Sequence, residues 1–135
     1  MNSRPSIEKI KKDLTALRKF EVVVFGSYGQ GTITPRSDID IAIITRHSDP
    51  SYNKKVWKDS LSLAKDLYHI SIFELLPLHV KASLMKNYQV LFGKGTDISE
   101  YFYHFRKLWK DERGRYEANQ FSSVREKLSA LFSSD

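Results

Sequence analysis

Two aspartates separated by one apolar residue, Asp38-Ile39-Asp40, follow ten residues after the small pair Gly26-Ser27. A β-branched run, Val22-Val23-Val24-Phe25, leads into Gly26-Ser27, and Ile41-Ala42-Ile43-Ile44 follows the acids. On a strand, side chains alternate between faces, so Asp38 and Asp40 point one way while Ile39 and Ile41 enter a core. Two neighbouring carboxylates with no basic residue between them repel unless a cation sits there. All-oxygen ligands of this kind suit Mg²⁺ or Mn²⁺.

The turn before the acids supplies a complementary chemistry. Gly26, Gly29 and Gly31 can adopt positive φ and let the backbone approach a ligand, while main-chain N–H groups and the Ser27 hydroxyl can donate to phosphate oxygens. A glycine-rich turn or an Asp-x-Asp strand is commonplace alone. In this order and spacing the two point to a nucleoside triphosphate held beside a metal ion.

These residues resemble the signature of the DNA polymerase β-like nucleotidyltransferases, Gly-Ser, ten residues, Asp-x-Asp. The flanking Gly31-Thr32, Pro35 and Ser37 are most similar to the minimal (MNT-type) branch. The match is close from Phe25 to Ile44 and looser to about Gly93. It implies an Mg²⁺- or Mn²⁺-dependent enzyme that moves a nucleoside monophosphate, AMP from ATP, onto an acceptor hydroxyl. Asp38 and Asp40 would hold the metal. Gly26 and Ser27 would bind the β and γ phosphates, with Ser37 as a weaker candidate. The family also implies a partner, because minimal nucleotidyltransferases pair with helical HEPN proteins as antitoxin and toxin. A homodimer is the alternative assembly.

A departure from the family's pattern lies on the next strand, where members place a third carboxylate. Here the chain reads Tyr68-His69-Ile70-Ser71-Ile72-Phe73-Glu74-Leu75-Leu76-Pro77. Anchoring on Leu76-Pro77 puts His69 at the acid's position. Strand parity sets His69, Ser71 and Phe73 on one face, and Glu74 reaches that face only through a bulge. A neutral imidazole can bind Mn²⁺ but is a poor ligand for Mg²⁺. The loss of an acid at this position favours, as an alternative, a catalytically weakened nucleotide-binding subunit that acts by binding its partner. His47, His79 and His104 have no ligand spacing.

The elements that must position these groups follow from periodicity. A first helix is expected over Ser6 to Lys19, with Ser6 as N-cap and Ile7, Ile10, Leu14 and Leu17 on one face. Strands are expected over Glu21 to Phe25, Ser37 to Thr45 and Tyr68 to Leu75. Helices are expected around Val56 to Leu67 and over Leu78 to Lys86, then a short apolar piece, Val90-Leu91-Phe92. Ile98, Tyr101, Phe102, Phe105, Leu108 and Trp109 form an apolar stripe at helical spacing, followed by a second stripe at Val124, Leu128, Leu131 and Phe132. Such stripes either pack on the core or dock on a partner. The fold class is α/β (α+β), a small mixed sheet flanked by helices, with a nucleotidyltransferase domain over 1–96 and a helical extension over 97–135.

The 135 residues suffice for one core. No cysteine is present, which excludes a disulfide framework, a thiolate zinc site and a cysteine nucleophile. No apolar run approaches the roughly 18 residues of a membrane span, so a soluble, cytoplasmic protein is the expectation. The net charge of +6 admits a nucleic-acid partner, but acids interleave the basic runs, as on solvated helix faces. A positive field would also serve a triphosphate site.

Overall fold

The computed structural model describes residues 5–26 and 39–113. Ser27, Ser37, Asp38, Gly29, Gly31 and the stripe at Val124 to Phe132 lie outside the described residues. Four strands form one mixed sheet: β1 (Glu21–Phe25), β2 (Ile39–Ile44), β3 (Tyr68–Ile72) and β4 (Tyr88–Phe92), in the order β3-β2-β1-β4. β1 is antiparallel to both β2 and β4, whereas β2 and β3 are parallel. A parallel pair needs a crossover connection, and α2 (Pro50–Ser60) provides it. The other helices are α1 (Ile7–Asp13), α3 (Leu78–Lys86) and α4 over residues 95–113.

Alternation along the strands divides the core in two. Val22, Val24, Ile39, Ile41, Ile43, Ile70 and Ile72 pack against Ile10, Leu14 and Leu17. Val23, Ala42 and Ile44 on the opposite face pack against Phe73, Leu84, Met85, Ile98 and Phe102. Burial on both faces explains why β1 and β2 read as nearly continuous β-branched runs. Ile98 and Phe102 are fully buried and Tyr101 and Phe105 pack against the same cluster, so the first part of the aromatic stripe is core, whereas Leu108 is exposed.

Three elements depart from the bounds that periodicity suggests, each for a local reason. α1 starts as expected, with the Ser6 hydroxyl accepting from Lys9 N. It ends at Asp13 because Thr15 Oγ1 donates back to the Lys11 and Lys12 carbonyls, and a 3₁₀ turn, Thr15–Leu17, follows. α2 begins earlier than expected, since Asp49 caps it and Pro50 occupies its first turn. It also ends earlier, at Ser60, whose hydroxyl donates to Trp57 O; Lys65 and Asp66 at positive φ then turn the chain into β3. β3 stops at Ile72, where a 3₁₀ turn, Phe73–Leu75, lays the fully buried Phe73 ring against Tyr101, Phe102 and Phe105.

Candidate functional site

β2 pairs Asp40 with Phe25 of β1 on one side and with His69 of β3 on the other. Ile39 and Ile41 are fully buried in the α1-side core, so Asp40 lies on the face it shares with Ala42 and Ile44. His69 shares that face because Tyr68, Ile70 and Ile72 all pack on the α1 side. The result is a carboxylate and an imidazole side by side at one end of the sheet, with Asp40 Oδ1 3.2 Å from His69 Nδ1. The Asp40 side chain is 30% exposed and that of His69 is 69% exposed.

The third member of this cluster is Gly26, immediately after β1. Its φ is +73°, a conformation that L side chains rarely adopt, and a Cβ there would come 2.5 Å from Asp40 Oδ2. Glycine is therefore needed twice, for the turn and for the space the carboxylate occupies. The half-buried Phe25 and its β4 partner Tyr88 flank the cluster.

Of the residues expected from the sequence, the fold brings together Gly26, Asp40 and His69; Ser27, Ser37 and Asp38 lie outside the described residues. Among the described residues no three acids or histidines converge as a metal cage. The donor set of Asp40 and His69 nevertheless fits a divalent ion: a carboxylate backed by a backbone with no side chain, and an exposed ring nitrogen on the same face.

Glu74 takes no part in this cluster. It sits beyond the far end of β3 and accepts hydrogen bonds from Thr45 N at 3.0 Å, Arg46 N at 2.9 Å and the Tyr101 hydroxyl at 2.7 Å. No bulge carries it round to Asp40, because β3 has already become a 3₁₀ turn. Arg46, at φ 60°, is held by paired bonds to Glu21 at 2.6 and 3.0 Å and by a bond to Asp97 O. The bond to Glu21 raises the Arg46 pKa further, and burial followed by the bond to Glu74 raises that of Tyr101. This network, which ties α4 to the sheet, has no short motif in the sequence: its bonded partners are 25 to 51 residues apart, from Glu21 with Arg46 to Arg46 with Asp97.

Residues 7–91 match the nucleotidyltransferase domain family. The chain belongs to that family. A protein of Methanocaldococcus jannaschii, provisionally named a protein adenylyltransferase, is 40% identical to this nucleotidyltransferase over 109 residues, 81% of this chain and 84% of that protein. Among solved structures, a toxin–antitoxin complex with AMP-PNP contains a chain that superposes with a TM-score of 0.68 at 21% identity, covering 89% of this chain and 99% of that one. A complex of a tri-AMPylated HEPN toxin of Shewanella oneidensis with an MNT antitoxin gives a TM-score of 0.62 at 16% identity, covering 87% and 95%. The shared architecture is the polymerase β-like nucleotidyltransferase fold. No helix among the described residues is long and apolar enough to cross a membrane.

Proposed function

We propose that this nucleotidyltransferase moves AMP from ATP onto a hydroxyl of a protein acceptor, and that the acceptor is a HEPN-type toxin for which this chain is the antitoxin. The observation that carries the reading is the Asp40 carboxylate set against Gly26 at the open end of β2, within a domain of the nucleotidyltransferase family. The name of the archaeal relative supports a protein acceptor, and the AMP-PNP and tri-AMPylated toxin complexes support the nucleotide and the partner.

In this reading Gly26 and Ser27 hold the β and γ phosphates through main-chain N–H groups and the serine hydroxyl, and Ser37 adds a further donor. Asp38 and Asp40 would hold Mg²⁺ or Mn²⁺, which when bound offsets the charge of the triphosphate and of the departing pyrophosphate. The acceptor oxygen attacks the α phosphorus as the bond to the β-phosphate bridging oxygen breaks. Pyrophosphate leaves, and the acceptor's proton passes to solvent. Positioning supplies much of the rate in such a transfer, so a site with two acids can work.

One observation favours a second reading: His69, not a carboxylate, pairs with Asp40 across the strands. A subunit that binds nucleotide and partner but transfers slowly would have this site. Incubation of the full-length protein with radiolabelled ATP, Mg²⁺ or Mn²⁺ and a HEPN partner separates the two. Label on the partner, lost in Asp40→Asn, supports transfer; nucleotide binding with no label on the partner supports the second reading. Salt-sensitive retention of RNA without nucleotide would overturn both.

A further inference from the structure

Two ligands of different chemistry meet on the open face of the sheet. Asp40 Oδ1 and His69 Nδ1 are 3.2 Å apart. A charge-assisted N–H···O bond is usually about 2.7–2.9 Å long, so 3.2 Å lies beyond the strong range. It is close to another natural distance. Adjacent ligands on an octahedral ion with bonds of about 2.1 Å stand roughly 3 Å apart. Both side chains belong to neighbouring strands in direct register, so the separation is fixed by backbone pairing and not by two flexible loops. The imidazole is 69% exposed and Asp40 only 30%, which leaves the ring edge available to an ion already touching the carboxylate.

We propose that His69 is a nitrogen ligand of the ion held by Asp40, and that it turns the selectivity of this site from Mg²⁺ toward Mn²⁺. The inference rests on the assignment of Asp40 to the metal. Its chemistry is specific to this chain. Mg²⁺ is a hard ion that prefers carboxylate, carbonyl and water, whereas a first-row transition ion gains more from imidazole. An aspartate in place of His69 would give a harder site, and the imidazole a mixed nitrogen and oxygen site. Gly26 lies against Asp40 Oδ2, where a Cβ would come 2.5 Å from that oxygen, and Oδ1 is the oxygen that faces His69.

The test needs no turnover. Mn²⁺ binding to the full-length protein is measured by electron paramagnetic resonance, and Mg²⁺ binding by competition, for the parent, His69→Ala, His69→Asp and Asp40→Asn. Thermal melting of each variant checks that it folds. His69→Ala is expected to weaken Mn²⁺ about tenfold or more, as for loss of a metal-supporting group, with Mg²⁺ affinity nearly unchanged. His69→Asp is expected to strengthen Mg²⁺. Pulsed measurements on the parent are expected to show nitrogen coupling to Mn²⁺ that His69→Ala removes.

Equal weakening of both ions in His69→Ala would overturn the proposal, because a histidine that merely orients Asp40 serves either ion alike. Unchanged Mn²⁺ binding in His69→Ala, with loss in Asp40→Asn, would overturn it too and leave the transfer reading standing. If Asp40→Asn also keeps its metal and its transfer of AMP, the metal assignment of Asp40 falls, and this inference with it.

Discussion

At one end of β2, Asp40 is partly open to solvent beside an exposed His69 and a glycine that could carry no side chain. At the other end, the main-chain N–H groups of Thr45 and Arg46 are closed off by Glu74, which also receives the Tyr101 hydroxyl. Both ends use a carboxylate as the organising group. Glu74 spends its oxygens on donors of its own fold and stabilises the seat of α4. Asp40 Oδ2 instead lies where a Cβ on residue 26 would intrude, and Asp40 Oδ1 faces the exposed His69 ring. Among the described residues, Glu74 is held by donors from Thr45, Arg46 and Tyr101, whereas Asp40 meets the exposed His69 ring.

The sharpest way to break this comparison is to neutralise each acid in turn. Asp40→Asn removes the charge at the open end and is expected to reduce AMP transfer by about 10²–10³-fold, as for loss of an electrostatic group that acts on the reacting phosphate. Its thermal stability should stay within about 0.5 kcal/mol of the parent. A variant that transfers AMP normally would remove Asp40 from the chemistry.

Glu74→Ala should do the reverse. It strands two main-chain donors and a half-buried tyrosine hydroxyl, at a cost of about 3 kcal/mol in denaturant unfolding. Transfer per folded molecule is expected to stay near that of the parent when assayed well below the new melting temperature. A stable Glu74→Ala protein with abolished transfer would mean that the closed end, too, belongs to the site.

Gly26→Ala tests how tightly the open end is built. The added Cβ lies 2.5 Å from Asp40 Oδ2 in a backbone conformation at φ +73°. Holding that conformation costs an L residue about 1–2 kcal/mol, and the carboxylate must also shift. Stability and transfer should therefore both fall, which separates this variant from Asp40→Asn. Calorimetry and the labelled-ATP assay on the same preparation check it.

The legibility of the two ends differed for a physical reason. The open end is encoded locally: Gly26, Asp40 and strand parity place the acid on the solvent-facing end from a stretch of about twenty residues, because alternation on a strand is a rule of backbone geometry. His69 was located by the same parity on β3. The closed end depends on contacts such as Arg46 with Asp97 and Tyr101 with Glu74, which only chain folding brings together. The early end of β3 belongs with it: the periodic run through Leu75 looks like strand, but the burial of Phe73 among three aromatic rings outweighs alternation and turns Glu74 away from the Asp40 face. Helix ends depart from the periodicity where single hydroxyls, Thr15 and Ser60, bond back to the chain.

The smallest effect concerns what lies behind the open end on the opposite face. Tyr68 pairs with Ile39, the residue before Asp40, and its ring packs in the α1-side core. Its hydroxyl donates to Asp13 Oδ2 at 2.6 Å, and this bond, with a smaller contribution from Lys9, lowers the Asp13 pKa below its ordinary 3.8. A depressed folded pKa contributes stability that is fully present above the unfolded value and is lost as pH falls through the folded one. Tyr68→Phe is therefore expected to cost about 1 kcal/mol at neutral pH, and the difference from the parent should shrink as pH drops below about 4. AMP transfer at neutral pH should be unchanged, since Tyr68 faces away from Asp40. Unfolding curves at pH 7 and pH 3, with a transfer assay at pH 7, decide it. A transfer defect in Tyr68→Phe would mean that α1 helps to hold Asp40 in place, and that the open end depends on long-range support much as the closed end does.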